Sequence, residues 1–261
     1  MVNRNKLTVV CTTCEDFKDM WQNQINGLTK YWVSHPPVLF VSDKKQIDNN
    51  MSNFYFSPGN YSDRLLNALN LIKTEYVFLT LDDYLLYRKI DSGFIEFLID
   101  YLDDNNGSYM KIYKSRTGKV VDKKNRIRSL PLKEVYEVSM TPSIWKTKDL
   151  ISIIKTNMTP WELEVSMTSQ SRKVSINCFS CYKKNVYPYV DVVRKGKYLR
   201  KAYTYLRKNN LYISDRSIMP LHESIRRGVR SFIAKIMPRK LKTFISRTLK
   251  LKTFSSKEKS L

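Results

Sequence analysis

The chain has 261 residues, of which 42% are hydrophobic, and it contains only 7 glycines and 9 prolines. This composition excludes a disordered, low-complexity or collagen-like protein, so we expect one large domain with an appendage. The formal net charge is +22, from 46 Lys and Arg against 24 Asp and Glu, and the protein should therefore attract polyanions. Charge alone does not choose among nucleic acid, an anionic membrane and phosphorylated ligands.

The first third of the chain alternates strand-sized apolar runs with helical periodicity. Residues 7–11 predict a buried strand, and the polar loop 12–16 leads from it into a helix. Because no signal-peptide-like apolar run precedes this strand, we expect a cytoplasmic protein. Residues 38–41 predict the next strand. Such β-α-β alternation is typical of a Rossmann-like, mostly parallel central sheet flanked by helices.

A second helix and the most apolar strand follow. Residues 61–72 predict the helix, with Ser62 or Asp63 as its N-cap. The next run, Tyr76–Leu81 (YVFLTL), is apolar except for Thr80. Nearly continuous apolar character predicts a central strand that is covered on both faces.

The rest of the first 220 residues gives further elements and one irregular region. The basic segment 115–128 lacks periodicity and is predicted to be a mobile loop, whereas residues 135–140 show strand-like alternation. The other predictions are helices at 94–102, 147–155, 198–208 and from Pro160 onward, and strands at 109–113 and 186–193.

Two adjacent carboxylates, Asp82 and Asp83, come directly after the strand Tyr76–Leu81. In open α/β sheets, ligands bind outside the carboxyl ends of the strands. Neighbouring carboxylates repel each other, and a hard divalent cation relieves the repulsion while taking further ligands from water and substrate phosphate. The pair therefore predicts a Mg²⁺ or Mn²⁺ site. The alternative is that both residues only end the strand as turn residues.

The stretch 61–86, YSDRLLNALNLIKTEYVFLTLDDYLL, resembles bacterial nucleotide-sugar glycosyltransferases of the GT-A fold that build capsules, lipopolysaccharides and exopolysaccharides. Shorter segments at 12–21, 141–146, 159–164 and 192–198 agree with the resemblance. It implies a GT-A-like α/β domain that transfers a sugar from a nucleoside diphosphate to a hydroxyl of a glycan or lipid-linked acceptor. The D-x-D motif of that group is replaced here by Asp82-Asp83-Tyr84, which leaves open which carboxylate binds the metal.

The resemblance also implies roles for residues near the donor. It places Thr12, Thr13 and Asp16 against the nucleotide base and ribose, and Arg64 and Asp82 near the diphosphate. The alternative for Arg64 is a solvated charge on an amphipathic helix.

A second pair of carboxylates, Glu162 and Glu164, lies beside Trp161. By resemblance, one of them is the general base that takes the proton of the acceptor hydroxyl in an inverting transfer. Residues two apart on a helix diverge by about 200°, so we expect only one to face the sugar, and we favour Glu162. The alternative is that both acids simply suit the positive end of the helix dipole.

Some enzymes of the GT-A fold add a histidine to the metal site, and His222 is the candidate here. Isolated histidines are more often structural or exposed, which is the alternative for His222.

The C-terminal segment, residues 221–261, is predicted to be a basic tail appended to a catalytic domain of residues 1–220. Its apolar residues recur at helical spacing on both sides of Pro238, which predicts two amphipathic helices with Lys- and Arg-rich opposite faces. Such helices bind anionic membrane surfaces, so we expect peripheral attachment to the inner face of the cell membrane. The alternatives are packing on the domain and nucleic-acid binding. We expect no nucleic acid, because no recognition motif accompanies the tail.

The function that these patterns favour is hexosyl transfer with inversion, using a glutamate base and Mn²⁺ or Mg²⁺. The first alternative is a non-catalytic basic α/β protein that binds membrane or nucleic acid. The second is nucleotidyl transfer, against which the absence of glycine in the loop 12–16 counts.

Overall fold

A computed structural model describes residues 6–44, 54–113, 115 and 117–236, with side chains up to residue 229. The strands are β1 (Leu7–Thr12), β2 (Val38–Ser42), β3 (Phe54–Phe56), β4 (Tyr76–Leu81), β5 (Tyr84–Leu86), β6 (Gly107–Lys111), β7 (Val120–Asp122), β8 (Ile127–Ser129), β9 (Ser143–Lys146), β10 (Asn177–Cys181), β11 (Tyr189–Asp191), β12 (Val193–Arg194) and β13 (Lys197–Tyr198). The helices are α1 (Lys18–Tyr31), α2 (Tyr61–Leu71), α3 (Ser92–Asp104), α4 (Thr147–Ile153), α5 (Pro160–Lys173), α6 (Arg200–Lys208) and α7 (Leu221–Ile236).

A nine-stranded sheet in the order β3-β2-β1-β4-β9-β6-β10-β8-β7 forms the centre of the fold. The first four strands in this order are parallel to one another, and β10 is parallel to β6. Within the described residues, only β9 and β8 run against the other strands of this sheet. The prediction of an α/β fold with a mostly parallel central sheet is confirmed.

Strand β4 occupies the middle of the sheet, between β1 and β9. Its alternate residues Tyr76 and Phe78 pack with α1 and α3 on one face, whereas Val77 and Leu79 pack with α2, α4 and α5 on the other. Period-two alternation of side chains across a strand buries both faces, which is why the segment is apolar throughout. The prediction of a covered central strand is confirmed.

The prediction of a mobile loop at 115–128 is wrong, because this segment carries β7 and β8, which pair antiparallel. Gly118 precedes the hairpin at φ +92°, and a Cβ atom there would lie 1.9 Å from the carbonyl oxygen of Ser129. The strands have three residues each, too few for a periodic pattern to emerge from a basic sequence.

Residues 135–140 do not form the predicted strand. Tyr136 lies in the left-handed region at φ +68°, and the segment is a series of turns in which Val138 and Met140 are nonetheless buried. The alternate apolar residues are therefore buried here by a loop packed on α5 and not by a strand. The predicted N-cap of α2 is also wrong, because Asn60 holds that position. Ser62 Oγ instead accepts a hydrogen bond from the Met158 amide at 2.9 Å, which joins α2 to the loop before α5.

Helix α7 begins at Leu221, where the basic tail was predicted to begin. Arg227 Nη2 lies 3.3 Å from Asp191 Oδ2, and Lys197 Nζ lies 3.3 Å from Glu223 Oε1, so the first turns of α7 contact the domain through ion pairs. The second predicted tail helix lies outside the described residues. Within the described part of the chain, no helix is both long and apolar enough to cross a bilayer.

Candidate active site

A cavity of about 1070 Å³ opens at the carboxyl ends of β1 and β4. The register of these strands pairs Thr12 with Leu81, so the residues that follow each strand, Thr13 and Asp82, lie side by side. The cavity lining combines these strand ends with α2, the start of α5 and the turn between β12 and β13. Of the residues predicted for the site, it contains Thr12, Thr13, Arg64, Asp82, Asp83 and Glu164.

The buried carboxylate of Asp82 is held by a short relay of hydrogen bonds. Thr13 Oγ1 donates to Asp82 Oδ2, and Trp21 Nε1 donates to Thr13 Oγ1 at 2.5 Å. Burial raises the pKa of Asp82 to about 7, although the hydrogen bond from Thr13 opposes the rise. An oriented carboxylate that titrates near neutral pH therefore lies at the base of the cavity.

Asp83 lacks such a partner for its side chain. Its carbonyl oxygen accepts a hydrogen bond from the Val192 amide at 2.9 Å, which fixes the backbone. Among the described residues, none other than Asp83 itself donates a hydrogen bond to its carboxylate. Burial first, and then the charges of Asp82 and Asp191, raise the pKa of Asp83 well above its ordinary value.

The two carboxylates fit a hard divalent cation, since both are buried at the cavity and the charge of Asp82 raises the pKa of Asp83. In the described part of the chain, no group of three or more His, Cys, Asp or Glu side chains is arranged to hold a metal. A cation bound by Asp82 and Asp83 would therefore take its remaining ligands from water and substrate, as Mg²⁺ usually does.

Helix α2 contributes Tyr61 and Arg64 to the cavity lining. The Tyr61 hydroxyl donates to Thr12 Oγ1 at 2.9 Å, and Arg64 Nη1 donates to the carbonyl oxygen of Gly59 at 2.7 Å. Both side chains are half-buried, so the loop before α2 is tied to the end of β1 while a guanidinium lines the cavity. Tyr61 was not recognised from the sequence, where it read only as the start of a helix.

The two glutamates of α5 have different environments, as their spacing predicted. Glu162 is exposed and forms a capping box with Thr159, whose amide and hydroxyl donate to Glu162 Oε2 at 2.9 and 2.8 Å. These hydrogen bonds lower the pKa of Glu162. Glu164 is half-buried and lines the cavity, and its Oε1 accepts a hydrogen bond from the Met140 amide at 3.1 Å. The structure therefore directs Glu164 into the cavity, whereas the favoured Glu162 caps the helix.

Asp16, Glu162 and His222 are absent from the described lining of the cavity. Asp16 is exposed, and its carbonyl oxygen accepts a hydrogen bond from Arg216. His222 is exposed on the first turn of α7.

Residues 192–198 were among the segments that agree with the resemblance, but the basic turn between β12 and β13 was not predicted to be part of the site. Arg194, Lys195 and Gly196 all line the cavity, and both Lys195 and Gly196 have positive φ, at +52° and +72°. The sequence signal for this tight hairpin was the pair Lys195-Gly196, which connects the two-residue strands β12 and β13. The hairpin reaches the cavity because Val192, Val193 and Tyr198 pack with Met20 and Leu85 in a separate core cluster.

Behind the cavity, Lys111 is a buried cation that holds the loop 136–140. Its Nζ donates to the carbonyl oxygens of Tyr136 at 2.7 Å and Glu137 at 3.4 Å. Burial lowers the pKa of Lys111 to about 8, although the negative charges of Glu164 and Glu137 oppose the shift. Tyr136, whose backbone carbonyl accepts this hydrogen bond, lines the cavity.

No protein-family model and no curated protein matches the chain. Among solved structures, S. aureus TarS 1-349 in complex with UDP-GlcNAc is 16% identical, with a TM-score of 0.48, over 90% of this chain and 77% of that one. Another structure of S. aureus TarS 1-349 is 18% identical, with a TM-score of 0.47, over 70% of this chain but only 59% of that one. The CMP:2-keto-3-deoxy-manno-octonic acid synthetase complexed with CTP is 13% identical, with a TM-score of 0.46, over 71% and 93%. At these identities and TM-scores, the similarity assigns neither a family nor an activity to this chain.

Proposed function

We propose that the chain is a cation-dependent glycosyltransferase that moves a sugar from a nucleoside diphosphate to a hydroxyl group of an acceptor glycan. The observation that carries the proposal is the buried pair Asp82 and Asp83, which lies at the end of the central strand and at the base of the cavity. The cavity, at about 1070 Å³, has the size of a large ligand site and would accommodate a nucleotide together with a sugar.

Charges on the cavity wall suit a sugar diphosphate. The described lining contains three cations, Arg64, Arg194 and Lys195, which would neutralise phosphate and stabilise the departing diphosphate. A Mn²⁺ or Mg²⁺ ion held by Asp82 and Asp83 would add Lewis-acid stabilisation of the same leaving group. The ribose and base would contact three other residues of the lining, Thr12, Thr13 and Tyr61.

Glu164 is the proposed general base. Its carboxylate faces the cavity and is oriented by the Met140 amide, so it can accept the proton of an acceptor hydroxyl. The hydroxyl oxygen then bonds to the anomeric carbon as the bond from that carbon to the diphosphate oxygen breaks, and the electron pair leaves with the diphosphate. A carboxylate that deprotonates the nucleophile, rather than forming a bond to the sugar, implies inversion.

Membrane attachment through α7 is part of the proposal. Leu221, Ile225 and Val229, here called the α7 stripe, recur every four residues and are 59%, 56% and 50% exposed. An apolar stripe beside the exposed Arg226 suits an anionic lipid surface, which would bring the cavity to lipid-linked acceptors of bacterial surface polysaccharides. Replacing the stripe by serine should release the full chain from phosphatidylglycerol vesicles in a co-sedimentation assay. Binding equal to that of the unmodified protein would reject this role.

The decisive experiment for the transferase is donor turnover. A panel of UDP-, GDP- and dTDP-sugars is incubated with the protein and Mn²⁺, and release of the nucleoside diphosphate is measured with and without a chelator. We expect chelator-sensitive release from at least one donor and its loss in Asp83→Asn. Release of pyrophosphate from a nucleoside triphosphate and a sugar phosphate would instead identify a nucleotidyltransferase, and inactivity with every donor would refute the proposal.

A further inference from the structure

A second cavity, of about 650 Å³, adjoins the proposed active site, and Asp191 lines both. Five tyrosines contribute to its lining: Tyr87, Tyr113, Tyr182, Tyr187 and Tyr189. We call this second cavity the tyrosine groove. Because it shares a wall residue with the cavity that would hold the donor, a ligand in the groove can extend a group towards the reacting sugar.

Paired strands and a stacked pair of tyrosine rings form the boundary between the two cavities. Strands β5 and β11 pair antiparallel, with Tyr84 opposite Asp191. The ring of Tyr84, which lines the first cavity, stacks on the ring of Tyr189, which lines the groove, with centroids 4.2 Å apart and planes 25° from parallel. The groove and the active site are therefore built on the same pair of strands.

The groove is basic as well as aromatic. Arg126, Lys183 and Lys184 line it and are exposed, and Asp191 is the only acid in its described lining. The Nζ atom of Lys183 lies 3.5 Å from the centroid of the Phe94 ring, so the aromatic face fixes that cation in place. Asp191 lies at the junction with the active site, which leaves the rest of the groove with an excess of positive charge.

We propose that the tyrosine groove binds the acceptor and that this acceptor is an anionic glycan, carrying phosphate or carboxylate groups on its sugar units. This inference rests on the proposed transferase function. Aromatic faces pack against the apolar C–H faces of sugar rings, and Lys and Arg bind phosphate or carboxylate through charge-assisted hydrogen bonds. Single-stranded nucleic acid also binds aromatic and basic surfaces. The glycan is favoured because the groove leads into a cavity where an acceptor hydroxyl must meet a sugar donor.

The test measures binding of defined polymers to the full chain by calorimetry, in the absence of donor. The probes are oligogalacturonate and its methyl ester, and dextran phosphate and dextran, so that each charged glycan has a neutral counterpart. We expect at least one charged probe to bind about tenfold more tightly than its counterpart, as a charge-assisted contact predicts. The pair that shows the preference identifies carboxylate or phosphate as the recognised group.

Variants distinguish the groove from general charge attraction. The double variant Arg126→Ser with Lys184→Ser should lose the preference for the charged probe. The matched control, Lys155→Ser with Lys173→Ser, removes the same charge from exposed positions outside both described linings and should retain it. Tyr113 is 57% exposed, so Tyr113→Ala should weaken charged and neutral probes alike without unfolding the protein.

Equal binding of charged and neutral probes, or an equal loss in the control variant, would overturn the inference. So would a single-stranded oligonucleotide that binds more tightly than every glycan and depends on Arg126 and Lys184. Donor turnover by the unmodified protein is measured separately, so failure of the transferase proposal can be told apart from failure of the groove.

Discussion

Replacing Asp82 by asparagine should stabilise the protein in the absence of divalent cations while removing its cation site. The pKa of Asp82 rises from 3.8 to about 7 because the carboxylate is buried. At about 1.4 kcal/mol per unit, ionising this group opposes folding by about 4 kcal/mol above pH 7. Asparagine keeps an oxygen that can accept the hydrogen bond from Thr13 but carries no charge.

The pH dependence follows from the direction of the shift. Between pH 3.8 and about 7, the folded state binds more protons at Asp82 than the unfolded chain does, so stability falls as pH rises through this interval. The advantage of Asp82→Asn should therefore be near zero at about pH 4 and should approach its full value of about 4 kcal/mol at about pH 8. Urea unfolding in the presence of a chelator measures the free energy of unfolding at each pH.

Two comparisons complete this test. The exposed Asp100 provides the control, because Asp100→Asn removes the same charge from the surface of α3 and should change stability by less than about 0.5 kcal/mol. Adding Mn²⁺ should raise the unfolding midpoint of the unmodified protein but not of Asp82→Asn. If Asp82→Asn is no more stable at pH 8, or if its advantage does not depend on pH, then burial does not destabilise the ionised carboxylate of Asp82.

Substitutions at other residues of the fold and the cavity should change turnover or stability in ways that their contacts predict. Glu164→Gln should lower kcat by at least about 100-fold with little change in donor Kd. Glu162→Gln should keep its turnover and its fold, because the residue lies outside the cavity lining and a glutamine oxygen can still accept the hydrogen bonds from Thr159. Equal kcat losses in the two variants would refute the assignment. Lys111→Met leaves two carbonyl oxygens of the loop 136–140 without a donor, so hydrogen exchange there should accelerate and the free energy of unfolding should fall by about 1–3 kcal/mol. Gly118→Ala should lower the free energy of unfolding by more than about 2 kcal/mol, because the added Cβ would clash with a backbone carbonyl. In Gly228→Ala, on α7, the added Cβ meets no atom within 4 Å, so this variant should be neutral or stabilising. Similar effects in the two variants would contradict the clash.

The spacing of apolar residues predicted secondary structure correctly where buried residues recur regularly along the chain. Strand β4 was predicted because both of its faces are covered, and the position of Asp82 and Asp83 at its end followed directly. The same reasoning failed at residues 135–140, because Val138 and Met140 are buried by a loop rather than by a strand. Alternation of apolar residues reports burial, and several backbone conformations can produce it.

The choice between the two glutamates could not be made from spacing. A helix places residues two apart on different faces, but the direction of the cavity depends on where α5 lies against the sheet. Thr159 supplied a clue that was not used, since Thr-x-x-Glu is the capping-box pattern that occupies Glu162. The Met140 amide that orients Glu164 comes from a loop 24 residues away, and no local pattern links the two.

The sequence alone determined the alternation of strands and helices, the covered central strand and the two adjacent carboxylates that end it, because each depends on residues close together along the chain. Tertiary structure decided which side chains surround those carboxylates. The basic turn at Arg194 and Lys195 reaches the cavity from more than 100 residues away, through packing of a separate cluster on α1 and β5. Such contacts depend on how distant elements pack in the whole fold. The segments that make them therefore show no periodic sequence pattern from which the contacts could be predicted.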